Sequence, residues 1–164
     1  MRRTTTAACF VILMGGAALS ARKDNAPAQA SPVVVPKFNP SADPMKDLEG
    51  AVNDARRTHR RIILDVGGEW CSWCHTLDRF YAAHADLMAL RERAFIWLKI
   101  NWSPENQNRA FLSRYPVIKG YPHLFVLGDD GKLLHSQDTN VLEQGSSYNL
   151  DKMFEFLKTW APEA

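Results

Sequence analysis

Ile62-Ile63-Leu64-Asp65-Val66-Gly67-Gly68-Glu69-Trp70-Cys71-Ser72-Trp73-Cys74-His75 is the stretch on which the reading of the chain turns. Its first five residues are short, apolar and largely β-branched, the pattern of a strand buried on both faces. Gly67-Gly68 ends that strand. A helix is expected from about Cys71 to Tyr81, with Leu77, Phe80 and Tyr81 on its core side. Asp65 is anomalous inside the strand, because an unpaired carboxylate in a core is strongly disfavoured.

Two cysteines two apart at a strand-to-helix junction admit three chemistries. Cys71-Ser72-Trp73-Cys74-His75 matches the attachment pattern for a c-type haem, half of a zinc site, and a redox dithiol. A structural zinc site needs four protein ligands. The chain has no further cysteine pair, and His59, His84, His123 and His135 are scattered. Haem needs a roomy apolar pocket and an axial ligand, which a buried-strand pattern just before Cys71 does not offer. A metal- or haem-binding module using Cys71, Cys74 and His75 remains the competing reading. A static disulfide and a chaperone trapping partners through Cys71 are two further ones.

The third cysteine, Cys9, belongs to a different kind of segment. Met1-Arg2-Arg3 is basic, Ala7 to Leu19 is a 13-residue run without charge, and Ser20 and Ala21 precede the polar Arg22-Lys23-Asp24-Asn25. That is the layout of a secretory signal peptide, residues 1–20, with cleavage expected near Ser20–Ala21. Thirteen residues are short of the roughly 20 that span a bilayer. Cleavage removes Cys9 and leaves one cysteine pair in an exported, periplasmic or secreted setting where disulfides form. No stable membrane insertion is expected after removal. Residues 21–43 are rich in Pro and Ala and read as an extended tether, with Val33-Val34-Val35 as a possible edge strand.

The folded domain is expected over 44–164. Of the 164 residues, 46% are hydrophobic and 23% charged, so one domain can bury a core of its own. The net charge of +2 gives no basis for nucleic-acid binding, and Arg56–Arg61 reads as the solvated end of a helix. Asp43-Pro44 has the chemistry of a helix start, and Met45, Leu48, Val52 and Ala55 recur at helical spacing to about residue 58. Asp86 is expected to cap a short helix to Arg93, followed by a strand over Phe95–Ile100. Ser103-Pro104-Glu105 predicts another helix to about Tyr115. His123–Leu127, a turn at Gly128–Gly131 and Lys132–His135 read as a hairpin, residues 136–149 as a polar loop. A last helix is expected over Leu150–Trp160, with Leu150, Phe154, Leu157 and Trp160 on one stripe. Strands separated by helices argue for parallel pairing, and the hairpin adds an antiparallel pair.

The segment 62–74 resembles the active-site segment of thioredoxin, with a buried-strand acid six residues before the first cysteine and Glu-Trp immediately before it. Val117-Ile118-Lys119-Gly120-Tyr121-Pro122-His123-Leu124-Phe125-Val126-Leu127 resembles the Gly-x-Pro loop, strand and hairpin of the same family. The likeness runs from about 45 to 160 and is nearest to the single-domain branch of periplasmic and secreted thiol–disulfide oxidoreductases. It implies an α/β thioredoxin fold, a central mixed sheet of four to five strands flanked by helices, and no cofactor. Ser72-Trp73 departs from the family's Gly-Pro, and His75 from its Lys. Both positions are therefore expected to tune the redox potential.

The implied roles follow. Cys71, at the helix N-terminus, is the attacking thiolate, stabilised by unpaired N–H groups and the helix dipole. Cys74, less exposed, resolves the mixed disulfide. Asp65 accepts the Cys74 proton, with a pKa raised by burial; the plainer alternative is a core acid satisfied by a backbone or Lys contact. Pro122 is expected to be cis by resemblance. Trp70, Trp73 and Tyr121 would line an apolar rim for substrate chains, with Trp73 exposed. His75 either titrates beside the dithiol or lies on the solvated side of its helix. The partners are protein thiol or disulfide substrates and a redox partner protein.

Overall fold

The computed structural model describes residues 36–163. The signal segment, Cys9, Val33–Val35 and most of the tether lie outside those residues.

Helix α1 covers Pro44–Thr58. Asp43 caps it by accepting from the Met45 and Lys46 N–H groups, and His59 closes it in the left-handed conformation at φ 53°. Its buried stripe is Leu48, Ala51 and Ala55; Met45 stays exposed. Strand β1 (Arg61–Gly67) follows, then α2 (Ser72–Ala83), α3 (Ala85–Ala94) and β2 (Phe95–Asn101). Asp86 does not cap α3: His84 holds the cap position and Asp86 sits in the first turn.

The expected helix over 103–115 shrinks to α4, Arg109–Leu112. Asparagine side chains outcompete it. Asn108 Nδ2 donates to the Asn101 carbonyl at 2.7 Å, Asn108 N–H to Asn106 Oδ1 at 2.9 Å, and Ser103 Oγ is taken by Asn101 Nδ2 at 3.1 Å. Such side-chain-to-backbone bonds offer the chain an alternative to helix. Asn108 itself lies at φ 46°.

Strands β3 (His123–Leu127) and β4 (Leu133–Asp138) form the expected hairpin, with Gly131 at φ 78° in its turn. The region read as a polar loop is more structured. β4 runs to Asp138, a 3₁₀ turn covers Thr139–Leu142, and β5 (Glu143–Gln144) pairs with β6 (Ser147–Tyr148). Thr139, Leu142 and Tyr148 are buried there. Helix α5 spans Leu150–Trp160 as read, but its buried face is Met153, Phe156 and Leu157, leaving Leu150 exposed.

The sheet is mixed and four-stranded, in the order β2-β1-β3-β4. β1 runs parallel to β2 and antiparallel to β3, so the parallel expectation holds for one pair only. Central β1 is covered on both faces, which is why Ile62 to Val66 are fully buried. Ile62, Leu64 and Val66 face α1 and Phe111; Ile63 faces α2, α3 and α5. Asp65, in the same alternation, points with Ile63 toward the α2 side. This is the α/β architecture of a thioredoxin fold. Among the described residues, no helix is long and apolar enough to cross a membrane.

Candidate active site

Cys71 occupies the N-cap of α2, and Cys71 and Cys74 are joined as a disulfide. The Cys71 sulfur accepts from the Cys74 N–H at 3.1 Å, and the Cys71 N–H donates to the Gly68 carbonyl at 3.0 Å. The Gly67-Gly68 break thus delivers Cys71 to the helix end, where the first N–H groups lack intrahelical partners. That environment stabilises a thiolate once the bond is reduced. Cys74, one turn further in, is fully buried. Cys71 is only 3% exposed.

Gly67 is needed for close approach: a Cβ there would overlap the Cys74 sulfur and come within 3.1 Å of Phe38 Cζ. Asp65 lies on the same face of β1, two residues or about 6.6 Å back along the strand. It is fully buried. Its Oδ2 accepts from Trp97 Nε1 at 3.1 Å and from Lys99 Nζ at 3.2 Å. Lys99, its register partner on β2, also donates to both oxygens of Asp78 on α2, at 2.8 and 2.9 Å. Asp65 Oδ1 has no partner among the described residues. Burial pushes the Asp65 carboxyl above the ordinary carboxylate range; Lys99 opposes this and Asp78 adds to it. Two carboxylates share one ammonium, so the cluster has room for one more proton. The geometry shows Asp65 as a core acid met by lysine, with a raised proton affinity.

The Tyr121–Pro122 peptide is cis, and Pro122 is buried. Thr139 Oγ1 donates to its carbonyl at 2.7 Å and ties the loop to the 3₁₀ turn. Trp70 is 52% exposed. Its ring meets Trp102 and Tyr121 edge-on, and those two stack on each other with centroids 4.9 Å apart. Trp73 is not exposed as expected: its ring packs edge-on against Tyr148, which bridges from the β5–β6 hairpin. Ser72 is exposed. His75 Nε2 bonds the Glu69 carbonyl at 2.9 Å, so its ring braces the approach to Cys71. His123 is buried with Nε2 on Ser136 Oγ, and burial pushes its pKa down.

The structure thus brings Cys71, Cys74, Trp70, Tyr121 and Pro122 to one end of the sheet, with Asp65 beneath. Sequence reasoning missed Lys99, Asp78, Trp102 and Phe38. A mid-strand lysine in Phe95–Ile100 was a signal for the first, because a buried ammonium needs a carboxylate and Asp65 is the mid-strand acid. Phe38 gave no signal.

A thioredoxin-like family model matches residues 43–128. The chain is 28% identical over 92 residues to the thiol:disulfide interchange protein DsbD of Pseudomonas fluorescens, covering 56% of this chain and 15% of that protein. It is 26% identical over 106 residues to a protein disulfide-isomerase of Triticum aestivum, covering 65% and 19%. The chain therefore spans less than a fifth of the length of these curated relatives. Among solved structures, a disulphide isomerase of Xylella fastidiosa superposes with a TM-score of 0.62 at 23% identity, over 74% of this chain and 94% of that one.

Proposed function

Because this chain belongs to the thioredoxin-like family, we propose that it is an exported thiol–disulfide oxidoreductase that exchanges its Cys71–Cys74 pair with protein substrates, working as a reductant. The observation that carries the reading is Cys71 at the helix N-cap with Cys74 one turn in and an acid of raised proton affinity behind them. The two curated relatives, by their names, interchange or isomerise disulfides. Export rests on the signal-like segment at residues 1–20.

In the reductive direction, the Cys71 thiolate attacks one sulfur of a substrate disulfide. That S–S bond breaks, a Cys71–substrate disulfide forms, and the second substrate sulfur leaves as a thiolate. The Cys74 thiol then passes its proton to the Asp65 carboxylate and attacks the Cys71 sulfur. The Cys71–Cys74 bond forms, and the first substrate sulfur departs as a thiolate. Two electrons have moved from the enzyme to the substrate, and a dithiol partner protein must return them. Trp70, Trp102 and Tyr121 offer the substrate chain an apolar rim. Direction depends on small differences, since about 30 mV is equivalent to about 1.4 kcal/mol for this couple. The reductive direction is taken from the resemblance, in which a buried-strand acid stands in the place of Asp65; the proton transfer itself serves exchange in both directions.

The described residues give the metal-binding alternative no support. Among the described residues, no group of three or more His, Cys, Asp or Glu side chains is placed to hold a metal ion, and His75 Nε2 is engaged by Glu69.

The test is catalysed insulin reduction with dithiothreitol, plus capture by the Cys74→Ser variant. Activity lost in Cys71→Ser, with substrate proteins held by Cys74→Ser as reducible adducts, is the expected result. Wild-type protein no faster than dithiothreitol alone, or isolated with a Soret band, would overturn the reading.

A further inference from the structure

Phe38 lies upstream of the segment that the family model matches, yet it belongs to the site. It is 3% exposed, the one buried residue between Pro36 and Asp43, and forms one packed cluster with Cys71 and Cys74. Trp73 and Tyr121 pack against that cluster. Three contacts hold Phe38 in place. Its N–H donates to Glu69 Oε1 at 2.8 Å, its ring carries the Lys99 ammonium 4.0 Å from the centroid, and the ring edge fills the notch left by Gly67.

The disulfide is therefore largely covered. Exchange needs a sulfur nucleophile to approach Cys71 along the S–S axis, and Cys71 is only 3% exposed, so that approach is narrow. Opening the approach requires something packed on the disulfide to move. Trp73 is part of α2, and the loop at Tyr121–Pro122 is tied by Thr139. Phe38 sits on a segment outside the sheet and helices, attached through the Glu69 carboxylate and through Asn106 Nδ2 on the Pro40 carbonyl. Glu69 is exposed, so its hold on the segment is weak. The 36–42 segment is the piece with the least to lose by moving.

The chemistry of the seat describes what replaces it. A carboxylate accepts a backbone N–H, an ammonium lies on the face of a ring, and the disulfide and Tyr121 complete an apolar wall. That combination suits an aromatic residue of an extended polypeptide, by hydrogen bond, cation–π contact and burial together. We propose that Phe38 is an access- and specificity-determining residue: it occupies, as the chain's own surrogate, the seat that an aromatic side chain near the substrate cysteine takes during exchange. The proposal rests on the oxidoreductase reading for the identity of the occupant; the closure of the disulfide by Phe38 stands without it.

The experiment separates the two. The full chain in its oxidised form is reduced with excess tris(2-carboxyethyl)phosphine, which needs no enzymatic activity, and opening is followed by mass after alkylation. Phe38→Ala should accelerate reduction about tenfold or more, the order expected when burial of a phenyl ring no longer holds a local opening shut. Glu69→Gln, a change at an exposed position, should accelerate it in the same direction by a smaller factor and guards against misfolding of the first variant. Rates within twofold of wild type for both variants overturn the gate, as does acceleration that appears only where urea has begun to unfold the protein.

The occupant is tested with two pentapeptide–glutathione mixed disulfides carrying Phe or Gly beside the cysteine. Phe38→Ala should turn over the Phe peptide severalfold faster than the Gly peptide, and equal rates would overturn the aromatic seat. A gate that opens in Phe38→Ala while wild type fails to reduce insulin would leave closure standing and remove the oxidoreductase reading.

Discussion

Lys99→Met isolates the charge on which the buried cluster depends. The lysine side chain is 3% exposed, that of Asp65 1%, and that of Asp78 17%. Methionine keeps the length and apolar character of the stem but removes the ammonium. Asp65 is then a buried carboxylate with one remaining donor, Trp97 Nε1, and with Asp78 repelling it. Removing one member of a buried pair costs about 3–5 kcal/mol. The loss must depend on pH, and its sign is fixed. Asp65 already binds its proton more tightly folded than unfolded, and without Lys99 more tightly still. The folded state then carries an extra proton between the ordinary carboxylate value of 3.8 and the raised one. Stability falls as pH rises through that window, by at most about 1.4 kcal/mol per pH unit for one proton. Urea unfolding of the oxidised protein at pH 4.5, 6.0 and 7.5 reads this directly (conditions spanning the carboxylate window). Lys99→Met should lose several kcal/mol at the highest pH and clearly less at the lowest. Asp65→Asn/Lys99→Met should recover most of the loss, because an amide leaves no charge stranded. A deficit that is the same at all three pH values, or that persists in the double variant, would refute the argument. It would assign the role of Lys99 to its stem and to the Phe38 ring it supports.

Two further outcomes follow from local packing. Gly67→Ala forces a Cβ into the Cys74 sulfur and against Phe38, and should destabilise the oxidised protein by about 1–3 kcal/mol in urea unfolding; an unchanged midpoint would mean that the notch can widen. Tyr81→Phe removes a buried hydroxyl that has no partner among the described residues while keeping the ring under Arg91, so its thermal midpoint should stay level or rise; a clear fall would show that the hydroxyl bonds a buried water.

The elements read correctly from sequence were those whose local chemistry has no competitor. Asp43-Pro44 had a cap and a helical first residue, and α1 starts there. Ile62–Val66 is apolar on both faces because it is covered on both. Ser103-Pro104-Glu105 carried equally good start signals and failed, because Asn101, Asn106 and Asn108 bond the backbone across the would-be first turn. Residues 136–149 looked like loop because their buried residues, Thr139, Leu142 and Tyr148, have neither period of two nor period of 3.6. On α5, spacing sets Leu150, Phe154, Leu157 and Trp160 on one stripe, whereas the face that is buried carries Met153, Phe156 and Leu157.

At the site, the motif residues were legible and their neighbours were not, and the two sets do different work. On the function proposed above, Cys71 and Cys74 carry the bonds that exchange and Asp65 takes the proton. Lys99, Asp78 and Phe38 arrive from β2, α2 and a proline-rich segment, so no spacing rule joins them. Their contacts nevertheless make the gate and the acid one unit, because the Phe38 ring covers the ammonium that holds Asp65. With the seat filled, Asp65 is desolvated and its proton affinity is high. When Phe38 lifts, water reaches Lys99, desolvation weakens, and Asp65 becomes a poorer base. An aromatic residue of the substrate entering the same seat restores the dry environment. On the gating proposed above, Asp65 therefore regains its affinity for the Cys74 proton when the mixed disulfide is in place and Cys74 has to attack. A substrate lacking that residue would form the mixed disulfide less readily and also resolve it slowly, so selectivity would appear in both steps of exchange.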